Sequence, residues 1–456
     1  MIGVGWVTAM GSWLERAGPL GAILAFAAGG AVMLCIGFCY AEATPMLPVA
    51  GGEVAYAYKA FGTAKSFLVG WCLAYGYIAI SGFEAISIGK VLSFMLPGID
   101  RWPLYDVAGD TVYGSHLLLA LLCTGGITWL HYRGVAQAAA LQITLTLTFV
   151  IVTVVFIVAG FGVGELANLE PLVGASDGHS WMGGFLAVFV TVPFWFVGFD
   201  TIPQGAEEVH ASVKPRSLAF LILGSIVAAA LFYVVLVLSV SMCAPRADIV
   251  GAELPSAAAF EAAFKSKFFV YVVLSAALLG LFTSWNGFFL AGSRVLFSLG
   301  RGQIIPERIG QTHSRYQTPH QAVLLTGLLT LLAPLLGRQA LLALANAGSL
   351  CIVVAFLGVA LSVMRLRQVA PQLSRPYRMP GGRLIPLLAV GGSLMMLGAM
   401  VIPGSPAALA WPREIIILSV FTVTGIIFWA AGKRSRARTT ESHRAYLILE
   451  SYAEAE

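Results

Sequence analysis

The chain has 456 residues, 58% hydrophobic and only 11% charged, where a soluble domain carries roughly 25% charged. So little charge cannot solvate the surface of a chain this long, which excludes a water-soluble globular protein and places it in lipid. The formal net charge of +5 is then a topology signal, with no nucleic-acid partner implied.

Apolar runs of about 18–25 residues, the length that crosses a hydrocarbon core of ~30 Å, recur from end to end. They predict spans near 18–45, 63–95, 114–132, 136–162, 181–209, 217–243, 267–299, 318–337, 340–364, 384–403 and 413–432. The opening "MIGVGW" is a special case. Gly3 and Gly5 break any helix there, and residues 6–16 rise only ~17 Å, about half a bilayer. A chain terminus at that break puts a charged amine near the bilayer centre, which is expensive. The expectation is therefore that the natural protein begins upstream of Met1.

The second full span, "GYIAISGFEAISIGK", puts Tyr77, Ser81 and Glu84 at helical spacing on one face. Glu84 is an acid in a helix nearly free of charge. It can hold a substrate amine, carry a coupling proton, or pair with protein. Further on, "GASDG" (174–178) satisfies GxSxG, but it lies in a polar loop with no strand before it. A membrane hydrolase built on Ser176 is thus a remote alternative.

The span from 181 ends in "PFWFVGFDTIPQGAEE". Interrupted helix is tolerated in lipid only where the freed backbone groups face a cavity, a ligand or other protein. Here Gly198 can end one half-helix, Asp200 can cap the next, and Pro203 fits its first turn. An uncompensated Asp at mid-membrane costs ~2.5–3.5 kcal/mol, and a cap on free N–H groups offsets part of that. This break comes five spans after the first, and paired interruptions in two halves are a pointer to a transport site. Free N–H groups at Gly3–Gly5 favour an anion, while carbonyls near Phe196 and Val197 favour a cation. Such a site suits a zwitterion. Trp285 and Asn286, and later Asn346 and Ser349, are possible lining residues, with interhelical packing the plainer reading.

Of the 27 Lys and Arg, 18 fall in one set of alternate loops and 7 in the other, with Lys90 and Arg294 near span ends. The richer set includes the polar segment 433–456, predicted to be a mobile cytoplasmic tail. Six scattered cysteines form no CxxC and seven histidines no HExxH, so neither a metal nor a cofactor is expected.

"GFDTIPQGAEE" resembles the sixth-helix signature of the amino acid–polyamine–organocation (APC) superfamily of permeases. "GSRVLFSLGRGQIIPERIGQTHSRYQTP" (292–319), "RPYRMPGGRLIPLLA" (375–389) and "IGVGW" resemble its eighth-helix exit, its loop into helix eleven and its first-helix break, in that order. The resemblance implies an all-α, twelve-helix, five-plus-five inverted-repeat fold like that of bacterial leucine transporters. The repeats would be about 1–162 and 181–364, followed by two extra helices within a 1–432 domain, and the first helix would lack its cytoplasmic half. It implies a secondary transporter of amino acids working by alternating access in the plasma (inner) membrane. A polyamine, diamine or ethanolamine-type amine permease is the alternative, and a channel or receptor on the same scaffold a more distant one.

The implied substrate contacts are Gly3, Val4 and Gly5 for a carboxylate, and Ile2, Phe196, Val197 and Phe199 for the amino group and side chain. Tyr77, Ser81 and Gly198 lie beside them, and Glu84 and Asp200 are the candidates for coupling or selectivity. Proton-coupled relatives often carry a lysine in helix five. Here that helix reads "QAAALQITLTLTFVIV", with none, so proton, sodium and simple exchange all stay open.

Overall fold

A computed structural model describes residues 1–96, 98–107, 109–134, 138–174, 180–208 and 213–453. A short helix α1 (Gly5–Thr8) leads into α2 (Met10–Met46), which is split at Gly18 (φ 71°, ψ 172°). Only glycine adopts that backbone cheaply, and Pro19 follows where a missing N–H costs nothing. The half-helix predicted over 6–16 is thus set off at both ends. Next come α3 (Glu53–Phe61) and α4 (Thr63–Met95).

A hairpin not predicted from the sequence follows, β1 (Pro103–Val107) paired antiparallel with β2 (Asp110–Tyr113). Its signal is the alternation in "PLYDV" and "DTVY" around Gly109, which has φ 84°. The chain continues through α5 (Gly114–Arg133) and α6 (Ala138–Val163). The span predicted over 181–209 arrives in three pieces, α7 (Trp181–Phe189), α8 (Val192–Phe196) and α9 (Thr201–Gln204). Ser180 caps α7 by accepting the Gly183 N–H at 3.2 Å.

Then come α10 (Pro215–Cys243), the short α11 (Arg246–Val250) and α12 (Pro255–Phe264), and α13 (Lys267–Arg301). The last membrane-length stretch holds α14 (His320–Thr330), α15 (Ala340–Val369), α16 (Leu384–Val401) and α17 (Arg413–Ala431). Among the described residues, nine helices are long and apolar enough to cross a membrane, with a shorter apolar helix at 320–336. The protein is a helical, multi-pass membrane protein. Leu122, Val158 and Ile426 are exposed along these helices, as a lipid-facing surface requires.

Three packings hold the centre. α2 lies against α10 and α7, α4 is held between α13 and α15, and α5 packs on α14. Glycines let these helices approach: a Cβ on Gly37 would fall 2.2 Å from Ile226 Cδ1, and one on Gly76 2.5 Å from Ile352 Cγ1.

The segment read as a mobile tail is helical over most of its described residues. It forms α18 (Lys433–Arg438) and α19 (Glu441–Leu449) and docks on the bundle. Ile448 and Leu449 are buried, Ile448 sits against Gly302, and Arg444 donates to the Arg436 carbonyl at 2.7 Å. Burial of that apolar pair is the force that the polar composition of the segment hides. The GxSxG serine, Ser176, lies outside the described residues.

Candidate functional site

The two interruptions touch. Gly198 has φ 131°, a conformation closed to other residues, and a Cβ there would fall 2.7 Å from the Met1 nitrogen. Tyr233, from α10, donates its hydroxyl to the Trp195 carbonyl at 3.3 Å and lies 3.5 Å from the Met1 carbonyl oxygen. It thus spans the seam between the two breaks. Val4, Phe196, Val197 and Phe199 are all buried, so the freed backbone groups face protein, as the energetics of lipid demand.

One face of α4 serves both breaks. The Tyr77 hydroxyl donates to Asp200 Oδ2 at 2.9 Å. Two turns on, the Glu84 carboxylate reaches the other break. Its Oε1 accepts from Ser284 Oγ at 2.5 Å, the Val4 amide is beside it, and a Cβ on Gly3 would overlap it at 2.2 Å. Between them Ser81 uses its hydroxyl on the Tyr77 carbonyl, 3.0 Å away within its own helix.

Two sequence expectations change here. Asp200 does not cap the helix after it. Its Oδ1 turns back to accept the Gly198 N–H at 2.6 Å while Oδ2 takes Tyr77. Those donors satisfy both carboxylate oxygens, which an N-cap contact could not. The anion position at Gly3–Gly5, expected to be free for a substrate carboxylate, is faced by the protein's own Glu84. The positive end of a helix attracts whichever carboxylate is in reach. Glu84 Oε2 has no partner among the described residues although the side chain is buried, an unusual state for a carboxylate oxygen.

The aromatic residues divide differently from expectation as well. Phe196 stacks on Tyr233, with ring centroids 5.6 Å apart, and Phe199 packs edge-on to Tyr40 at 5.2 Å and beside Phe356. Both are taken up by packing against rings of other helices. The ring at the first break is Trp195, whose Cζ3 lies 2.4 Å from a Cβ position on Gly5. Trp195 also touches Trp13 and Phe83, and its indole N–H donates to Thr191 at 3.0 Å.

The possible lining residues separate from the breaks. Asn286 bonds Gln142 at 3.1 Å and His131 at 2.9 Å, which ties α13 to α6 and α5. Asn346 donates to Glu414 at 2.5 Å, and Ser349 to the Val190 carbonyl at 2.6 Å. Trp285 is fully buried next to Ser284 in sequence. The structure brings together Ile2, Gly3, Val4, Gly5, Tyr77, Glu84, Val197, Gly198 and Asp200, and leaves Asn286, Asn346 and Ser349 to interhelical bonds.

Sequence reasoning passed over Ser284, Phe83 and Tyr233. Ser284 is one position from the tryptophan it singled out, and Tyr233 is a polar-tipped ring in an otherwise apolar helix, so signals existed. It also passed over Glu53. That residue is buried on α3, accepts a hydrogen bond from the Gln204 amide just past the second break, and has the Tyr40 hydroxyl close by.

A family model described as amino acid permease matches residues 1–429. The branched-chain amino acid permease of Bacillus subtilis is 26% identical, over 86% of this chain and 83% of that protein. The methylthioribose transporter of the same bacterium is 23% identical over 94% and 91%. The chloroplastic cationic amino acid transporter 7 of Arabidopsis thaliana is 28% identical over 93% and 72%.

Proposed function

Since the chain belongs to the amino acid permease family, we propose that it moves a small amine-bearing substrate of the amino acid class across the plasma membrane by alternating access. The observation that carries this reading is the pair of touching helix breaks, Met1–Gly5 and Val197–Asp200, each with a buried carboxylate at its edge. An open backbone inside lipid is costly unless a ligand or partner uses it, and two carboxylates with no basic side chain bonded to them among the described residues suit an ammonium group. The fold proposed is the twelve-helix inverted repeat. The pairings α2–α10, α4–α13 and α5–α14 support it, since each couples an element of the first half with its counterpart in the second. The tail end of the bundle is proposed to be cytoplasmic, by the 18-to-7 loop imbalance.

In this mechanism Gly3, Val4, Gly5 and Gly198 give backbone groups to the substrate, and Tyr77 and Tyr233 fix the two broken segments against α4 and α10. Ile2, Val197 and Trp195 border the side chain. Trp195 takes the place first expected for Phe196 and Phe199. Glu84 is the residue to which the coupling event belongs. A substrate carboxylate can approach the N–H groups of α1 only when Glu84 gives up its charge or its position, because two anions do not share one such end.

Counterflow in proteoliposomes tests the transport reading. Vesicles loaded with unlabelled L-leucine or L-arginine should accumulate the labelled compound transiently. Absence of counterflow with every amino acid, amine and methylthioribose offered would sink it.

Glu84 favours a second reading, in which the substrate carries an extra cationic group and lacks a carboxylate that must sit at α1. Glu84→Gln decides between the two. Loss of cationic substrates alone supports the amine reading, whereas retained exchange with lost pH-driven uptake supports a coupling proton on Glu84.

A further inference from the structure

At the end of the bundle away from the tail, the structure encloses a polar cavity of about 420 Å³. The polarity of α4 gives its location: Thr63, at the start of α4, lies beside Arg444 of the tail, whereas Lys90, near the helix's other end, lines the cavity. Asp110 of the hairpin, Glu253 of the α11–α12 turn and Arg338 of the α14–α15 turn complete the charged wall, and Phe83 and Thr8 also line it. The volume falls in the ~300–1,000 Å³ range of small-molecule sites.

The four charges are not equally engaged. Arg338 bonds Glu253 at 2.9 Å and Asp100 at 3.3 Å. Lys90 makes no hydrogen bond or salt bridge among the described residues, although Glu253 and Asp110 act on its charge. Asp110 Oδ2 is buried without a donor among the described residues. One ammonium without an acceptor and one carboxylate oxygen without a donor thus face a common space, and buried polar atoms of that kind call for a partner. The lining is balanced in sign, so a ligand of single charge meets as much repulsion as attraction. A dipolar one does not.

We propose that this cavity is an outer binding site for a zwitterionic amino acid, with Lys90 receiving the carboxylate and Asp110 and Glu253 the ammonium. The site lies in series with the breaks. Phe83 lines the cavity, and its ring centroid is 5.7 Å from that of Phe194 and 5.8 Å from that of Trp195. Trp195 in turn rests on Gly5. A ligand held at Lys90 is therefore separated from the first break by a thin layer of aromatic side chains. The inference rests on the proposed transport of amino acids.

The test is uptake kinetics of labelled L-leucine and L-arginine in proteoliposomes of known orientation, with substrate presented from either side. Lys90→Gln and Asp110→Asn should each raise KM from the hairpin side at least fivefold, and leave KM from the tail side within twofold. Lys90→Arg should restore the parent value. Asp110 sits on the hairpin and not on a membrane helix, so its variant gives a reading even if Lys90→Gln folds poorly. Unchanged KM from the hairpin side in both variants, or equal changes from both sides, overturns the outer site while leaving transport standing. A parent protein that transports no amino acid overturns the transport reading and this inference with it.

Discussion

At the end of the bundle where the tail docks, Glu42 is fully buried and held in a fork by Arg367, with bonds of 2.8 and 2.6 Å, and it also accepts the Met379 amide at 3.0 Å. At the same end Glu207 accepts the Ala50 amide at 2.8 Å and lies 3.7 Å from Arg301, which reaches on to Glu450 of the tail. At the hairpin end, Arg338 joins Glu253 and Asp100, whose side chains are 45% and 33% exposed, around a polar cavity. Exposed ion pairs contribute about 0–1 kcal/mol, whereas removing one partner of a buried pair costs about 3–5 kcal/mol. The difference lies in one group: the tail end holds the fully desolvated Glu42, beside Arg301 pairs whose acids are 38% and 40% exposed, whereas both Arg338 pairs at the hairpin end are partly solvated. On the alternating-access proposal, opening toward the hairpin should be the cheaper motion, because Glu42 need not be uncovered.

The largest effect expected is from Arg367→Ala. It leaves the Glu42 carboxylate buried with the Met379 amide and with Arg375 at 3.7 Å as its remaining partners among the described residues, and should destabilise the protein by about 3 kcal/mol. Thermal denaturation in detergent measures this, and Glu42→Gln in the same background should recover most of the loss. If Arg367→Ala melts like the parent, the tail end is not the tighter seal and the comparison breaks.

Next comes Gly198→Ala. The added methyl meets Met1 at 2.7 Å with φ at 131°, and strain of this type costs about 1–3 kcal/mol. Counterflow should fall roughly tenfold while the protein still inserts and purifies. Full activity in the alanine variant would show that the break relaxes freely and that its geometry is not needed.

A smaller effect is expected from Ile448→Ala. Full burial of such a side chain contributes about 1.5–3 kcal/mol, and the alanine keeps part of it. A loss near 1.4 kcal/mol is a tenfold rise in the undocked fraction of the tail. Arg444, only 7% exposed when docked, becomes a tryptic site in that fraction, so cleavage there should quicken about tenfold. An unchanged cleavage rate would mean that the ion pairs, not Ile448, hold the tail.

The spans and the breaks were legible because they are local. Hydropathy over 20 residues and a Gly–x–Asp–x–x–Pro sequence need no knowledge of neighbours. What escaped depends on partners far along the chain. The Asp200 side chain has a local option, capping α9, and a distant one, Tyr77 123 residues away. Tyr77 takes Oδ2 while the Gly198 N–H takes Oδ1, because a buried carboxylate needs donors for both oxygens. The donor beside Glu84 comes from Ser284, 200 residues on, and no periodicity in α4 points to it. The docked tail is an intermediate case. Its "YLIL" (446–449) is a short apolar run in a charged segment, a visible sign that average polarity conceals.

The smallest effect, and the sharpest check on the comparison, is from Arg338→Ala. It removes two pairs that are each partly solvated, so stability should change by no more than about 1 kcal/mol. Asp100 supplies a second readout. Burial alone would raise its pKa, but the Ser93 hydroxyl and the charges of Arg338 and His116 prevail and hold it below the ordinary value of 3.8. A carboxyl depressed in the folded state contributes stability above its unfolded pKa and loses it as pH falls through the folded one. The contribution of Asp100 should therefore persist down to about pH 4 and be lost below that. In Arg338→Ala the transition should move up in pH, because one of the charges that favour the ionised form is gone. Cysteine labelling at a residue placed on the hairpin, followed against pH, reads this opening without relying on transport. If instead the variant loses as much stability as Arg367→Ala, the two ends are sealed alike and the hairpin end is no easier to open.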